Sequence, residues 1–237
     1  MNTVTEPNNL EELHPSLWRA SQLARSTTKC IDTGHMALSN QLAGGGWPTG
    51  QLIELMVQQA GAGEMRLLAP ALAAVAQRKI VLIEPPHPPH AIALAGLGIA
   101  VSDVLWIKSK VGADALWAAE TVLRSASCGA VLLWVNHIRQ ESLRRLHLAA
   151  QSGESLLYII RPLAAAQDSS PSPLRLTVRP AARGVNVGFI KRKGPARDEL
   201  LFLPLAAPGM APPRRHAPVH DRPARVPELL PEGVATA

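Results

Sequence analysis

Gln58, Gln59, Ala60, Gly61, Ala62, Gly63, Glu64 and Met65 stand where a strand-like run over residues 51–57 (QLIELMV) gives way to a helix-like run over 64–77. Phosphate-binding loops of the pattern G-x-x-x-x-G-K-[ST] are built at such a turn. Their backbone N–H groups wrap the phosphates, the lysine neutralises the terminal one and the hydroxyl holds Mg²⁺. Here only the second glycine, Gly63, keeps its type. Glu64 replaces the lysine, so a carboxylate would face a polyphosphate. Met65 replaces the hydroxyl, and a thioether is a poor ligand for a hard cation. Gln58, Gly61, Gly63, Glu64 and Met65 therefore read as a degenerate nucleotide loop, with no nucleotide cofactor and no catalytic residue expected. The same residues also fit a tight strand-to-helix turn in an unrelated α/β protein.

A loop of this kind needs a sheet and a helix to hold it. The chain has 237 residues, 47% of them hydrophobic, enough to bury a substantial core. Strand-like runs at 79–84, 104–108, 130–135 and 155–160 alternate with helix-like runs at 90–96, 112–126 and 140–151. Strands apolar on both faces that alternate with helices predict a mostly parallel sheet covered on both sides. Upstream, 15–25 reads as a short helix carrying Leu17 and Trp18, and 36–50 as a short helix stopped by Gly44, Gly45 and Gly46. Beyond Pro162 the period changes. Residues 174–181, 184–192 and 199–205 predict antiparallel strands, with a turn at Ala182-Arg183-Gly184 and a Ser/Pro-rich mobile loop over 164–173. The division expected is an N-terminal extension (1–30), an α/β core (31–203) and a Pro/Arg-rich tail (204–237) that is disordered alone.

The net charge of +6 conceals an asymmetry. Residues 1–160 carry 12 Lys/Arg and 12 Asp/Glu, whereas residues 161–225 carry 12 and 4. A basic C-terminal third fits an acidic partner, nucleic acid or protein. With 3% aromatic residues, single-strand binding by base stacking is not expected, and loose, salt-sensitive contact is. No run of about 18 apolar residues predicts a membrane span. The polar, acidic N-terminus does not resemble a secretory signal, so a cytoplasmic location is expected. Cys30 and Cys128 lack the spacing of a redox pair or zinc site. His87 and His90, between prolines, read as part of a rigid turn rather than a metal site. Trp106, Trp117 and Trp134 read as core residues, and Arg139, Arg144 and Arg145 as a solvated helix face.

The order of elements, the stretch TGHMALSNQLAGGGWPTGQLIELM over 33–56 and the run VGFIKRKGP over 187–195 resemble RecA over about residues 31–203. With HPSLWRASQL at 14–23, the chain is identified more closely with the ImuA family, RecA-like proteins without the ATPase motif. That resemblance implies a RecA-like core. It also implies a role in damage-induced, error-prone translesion synthesis beside RecA, an ImuB-type inactive Y-family polymerase and an error-prone replicative-type polymerase, with weak direct DNA binding as a further expectation. RecA's catalytic glutamate is replaced by Pro86, in the run Glu84-Pro85-Pro86-His87. Its Mg²⁺-associated aspartate has no counterpart near Trp134 or Asn136. Phosphoryl transfer depends on such positioned charge, so a pseudo-ATPase is expected.

The resemblance also places Lys191 and Lys193 at the two RecA lysines that reach a neighbouring protomer's ATP. Being two apart on a strand, they are expected on one face. Lys191, Arg192, Lys193, Arg175, Arg179 and Arg183 are the candidate contacts to a RecA filament or to DNA, although a solvated basic hairpin explains the lysines equally well. Leu17 and Trp18 are candidate protein-interface residues, with packing on their own core as the alternative. Two other functions stay open: a SulA-type cell-division inhibitor, which shares such a core and binds a tubulin-like division protein, and a residual ATPase with an unorthodox site.

Overall fold

The apolar runs form one eight-stranded mixed sheet flanked by helices. The computed structural model describes residues 29–109, 112–194 and 197–205. The helix expected around Leu17 and Trp18, and the expected tail beyond residue 205, lie outside the described residues. Strands β1 (Cys30–Ile31) and β2 (Trp47–Pro48) pair antiparallel with each other. The large sheet comprises β3 (Leu52–Val57), β4 (Lys79–Ile83), β5 (Val104–Ile107), β6 (Cys128–Trp134), β7 (Leu156–Pro162), β8 (Leu174–Ala181), β9 (Gly184–Lys191) and β10 (Leu201–Pro204). Its spatial order is β10-β9-β8-β3-β7-β6-β4-β5. Every neighbouring pair from β8 to β5 is parallel, and β8–β9 and β9–β10 are antiparallel.

Successive residues of each central strand enter opposite cores, as the pleat requires. Ile53, Leu55 and Val57 of β3, with Tyr158 and Ile160 of β7, pack against α1 (Met36–Ser39), α2 (Glu64–Val75) and α3 (Ala91–Gly96). Leu52, Leu157 and Ile159 face α4 (Gly112–Arg124) and α5 (Gln140–Ala150). All six residues of β3 are buried, which explains why that strand reads as a continuous apolar run broken only by Glu54. Helix α2 tolerates Pro70 in its interior. Proline there removes an N–H and disturbs the preceding turn. In that turn the Leu67 carbonyl lies 3.2 Å from His35 Nε2, and the proline ring sits over Gly34, where a Cβ would come within 2.2 Å of it.

Three expectations change. First, β8 is not antiparallel on both sides: it lies parallel to β3 and only its outer edge is antiparallel to β9. The chain reaches that position through residues 163–173, a short crossover beginning with a 3-10 turn (Leu163–Gln167). Second, this crossover is packed where a mobile loop was expected. Ala165 is buried, and the buried Ser172 hydroxyl is shared between the carbonyls of Leu52 and Leu174, each at 2.8 Å. Third, Trp106 and Trp117 are exposed, Trp117 by 68%. Strand β5 closes one edge of the sheet and so has no outer neighbour to cover Trp106. On α4 the buried positions are Ala115, Ala119 and Leu123, a stripe from which Trp117 points away. Trp134 alone of the three packs against the core as expected.

Candidate functional site

Strand β3 delivers the chain at its carboxyl end into residues 58–63, and Gly63 caps α2 in a left-handed conformation, φ 105°. A Cβ at Gly63 would stand 2.7 Å from Val185 Cγ1, so the β9 side chain and the backbone angle both require glycine here. Glu64, the first helical residue, is 2% exposed. Its Oε1 accepts the backbone N–H of Gly61 at 3.0 Å. The carboxylate thus turns back onto its own loop and engages an amide at a helix N-terminus, where negative charge is favoured. Met65 is half-buried beside it and Gln58 is exposed. The loop thus offers one of its own amides to an anion from within the chain.

Around the loop lies a cavity of about 190 Å³ at the carboxyl ends of β4 and β6. Besides Glu64 and Gly61 its wall is formed by Met65, Leu82, Leu94, Leu97, Trp134 and the 85–90 turn. Ala93 of α3 completes the wall, which is apolar apart from Glu64 and the imidazoles of His87 and His90. Glu84, which sequence reasoning passed over, is in the left-handed region at φ 52°. Its Oε1 accepts from the Ser109 amide and, at 2.8 Å, from the Ser109 hydroxyl. That carboxylate joins the ends of β4 and β5. Its signal in the sequence was its place directly after an apolar strand and before two prolines. Among the described residues, no group of three His, Cys, Asp or Glu side chains could hold a metal ion, and His87 and His90 are exposed on the turn.

The basic candidates divide. Arg175 is corrected from a contact residue to a structural one: it is 5% exposed, its Nε donates to Glu54 Oε2 at 2.9 Å and its Nη2 to the Ala165 carbonyl at 3.0 Å. Register explains this, because β8 lies parallel to β3 and sets Arg175 opposite the fully buried Glu54. The other Glu54 oxygen accepts Arg161 Nη1 at 3.0 Å, and Arg161 Nη2 reaches Asp168 at 2.6 Å. Arg179 and Arg183 are exposed, on β8 and in the β8–β9 turn, where Arg183 has φ 59°. Lys191 and Lys193 are exposed at the other end of β9, roughly 23 Å away along the strand. Strand β9 stops at Lys191 and Lys193 lies in the bend that follows, so strand alternation does not place the two lysines on one face. Half-buried Arg192 stacks over Phe189, 5.1 Å from the ring centroid, and donates to the Gln41 carbonyl. The six candidates therefore do not form one patch.

Burial raises the Cys30 thiol, with an opposing effect from Lys193. Burial also pushes the His35 and His147 imidazoles below their usual range, and the Lys191 charge adds to the effect at His147. Among the described residues no helix is long and apolar enough to cross a membrane.

Fold and site together define an α/β protein with a mostly parallel mixed sheet and an internally capped strand-to-helix loop. Scanned against protein-family models the chain matches none, and no curated protein matches its sequence.

Proposed function

We propose that this protein is a non-catalytic, RecA-like accessory factor of the ImuA type. It acts in the cytoplasm in damage-induced translesion synthesis, binding RecA and an ImuB-type polymerase-like partner and modulating the RecA filament. The observation that carries this reading is the Glu64 carboxylate folded onto the Gly61 amide. A loop occupied by its own anion has no use for ATP, so the protein acts by contact. A second feature supports the mode of contact. The loop lies at the carboxyl ends of the parallel strands, whereas Lys191, paired with Arg175 at the start of β8, and Lys193, near Gln51 just before β3, lie toward the opposite end of the sheet. Opposed surfaces of this kind suit head-to-tail addition. The lysine end would dock on ATP held by a RecA protomer and, with no ATP of its own to offer the next, terminate the filament.

Association of the purified protein with RecA filaments on single-stranded DNA with ATP, read by sedimentation at physiological salt, tests the reading. The K191E/K193E variant is expected to bind roughly tenfold more weakly with its circular dichroism unchanged, because reversed charges at a contact repel the anion they formerly met. Wild-type affinity in that variant overturns the lysine docking mode. Absence of any association, together with binding to the tubulin-like division protein, would replace the adaptor by the SulA-type reading.

A further inference from the structure

The cavity beside the loop contains an imbalance that the adaptor reading does not use. Glu64 and Trp134 stand in its wall, and each has a buried polar atom with no hydrogen-bond partner: Glu64 Oε2, an acceptor, and Trp134 Nε1, a donor. Buried polar groups are almost always paired, and an orphan oxygen on a carboxylate is the more demanding of the two. Glu64 Oε1 is already engaged by Gly61, and nothing basic lines the cavity apart from the exposed imidazoles of His87 and His90 on the turn. The remaining wall is hydrocarbon, proline and thioether: Leu82, Leu94, Leu97, Pro86 and Met65.

We propose that this cavity is a binding site for a small organic cation, an apolar body carrying a primary amine, with the amine on Glu64 Oε2 and the body against Leu94, Leu97 and Trp134. Three observations point to this class. The volume of about 190 Å³ suits one compact ring or short aliphatic chain. The apolar wall opposes phosphate, carboxylate and sugar alike. The only formal charge in the wall is the negative one of Glu64, so a cationic donor is selected over a neutral one. Both orphan atoms are buried, so the amine displaces a lining side chain to reach Glu64 Oε2, and Met65, unbranched, half-buried and in the same wall, is the most adaptable of these. The site is thus the electrostatic inverse of a phosphate cradle, and its existence does not depend on any association with RecA.

The probe is benzylamine, with benzyl alcohol and benzoate as matched neutral and anionic controls, titrated into the full-length protein and followed by ¹H–¹⁵N spectra. Saturable shifts at the Gly61 amide and the Trp134 indole N–H are expected for benzylamine, with benzyl alcohol at least tenfold weaker, about 1.4 kcal/mol, and benzoate silent. Glu64→Gln keeps the shape and should erase the preference for amine over alcohol. Ala93→Phe, at an exposed residue by which α3 lines the cavity, should abolish binding of both. Equal affinity for all three probes, unsaturable shifts, or a preference that survives Glu64→Gln would each overturn the proposal. If Glu64→Gln does not fold, the Ala93→Phe result and the ranking of the three probes on the native protein decide it.

Discussion

Removing the charge of Glu54 should cost the protein much of its stability. Glu54 is 0% exposed on β3 and receives Arg161 from β7 and Arg175 from β8, at 3.0 and 2.9 Å. With Glu54→Gln the shape is kept, but two buried guanidiniums lose their shared counter-charge. Among the described residues Arg161 retains Asp168, which is 56% exposed, and Arg175 the Ala165 carbonyl. Breaking a buried pair from one side typically costs about 3–5 kcal/mol, against about 5–15 kcal/mol for a whole domain. Taking a urea m-value of about 2 kcal/mol/M, the unfolding midpoint should fall by about 1.5–2.5 M, with no change in slope. Replacing Glu54, Arg161 and Arg175 together by Leu, Met and Met should recover most of that loss, because the penalty lies in the orphaned charges and not in the absence of the pair. A Glu54→Gln midpoint within about 0.5 M of wild type, about 1 kcal/mol by the same slope, would show that the guanidiniums find other partners and would refute the reasoning.

Two further outcomes can be measured. His35 and His147 have folded-state pKa values depressed below 6.5, in both cases chiefly by burial, so the unfolded chain binds their protons first on acidification. The stability they contribute is complete above pH 6.5 and is lost as pH falls through the depressed values, so the urea midpoint should drop between pH 7.5 and 5.5 and drop less in H35Q/H147Q; a midpoint that rises on acidification contradicts this. Gly63→Ala should destabilise by about 1–3 kcal/mol through its positive φ and the Val185 contact, and G63A/V185A should recover the steric part while leaving the backbone strain, both read by thermal melts.

The sequence carried the local pattern well and the long-range pairing poorly. The alternation of apolar runs with helix-like runs located every central strand, because burial on both faces leaves no polar period to confuse. It did not reveal that β8 joins the parallel part of the sheet, since nothing in 174–181 encodes which edge of β3 the chain will reach. Arg175 followed from that failure: an arginine in a basic stretch looks like a surface residue until a register places it against a buried glutamate. Trp117 failed for a related reason, since its position is set by which helical stripe Ala115, Ala119 and Leu123 occupy, and small residues signal that stripe weakly. At the loop, the loss of the lysine and hydroxyl could be read from residue types alone. That Glu64 would close on Gly61 could not, because it depends on a rotamer and on the left-handed turn at Gly63.

Strand β3 is the first strand of the eight-stranded sheet to be synthesised, yet its pairing partners come late. Ile53 lies opposite Tyr158 on one side and Leu174 on the other, so both edges of the central strand stay open until more than a hundred further residues have been made. At translation rates of about 5–20 residues per second, that is a wait of at least about 5 s with an apolar, fully pairable segment exposed. β3 therefore waits longest of the sheet's strands for a partner, and a ribosome stalled between β3 and β7 would hold out an apolar strand with both edges open to another copy.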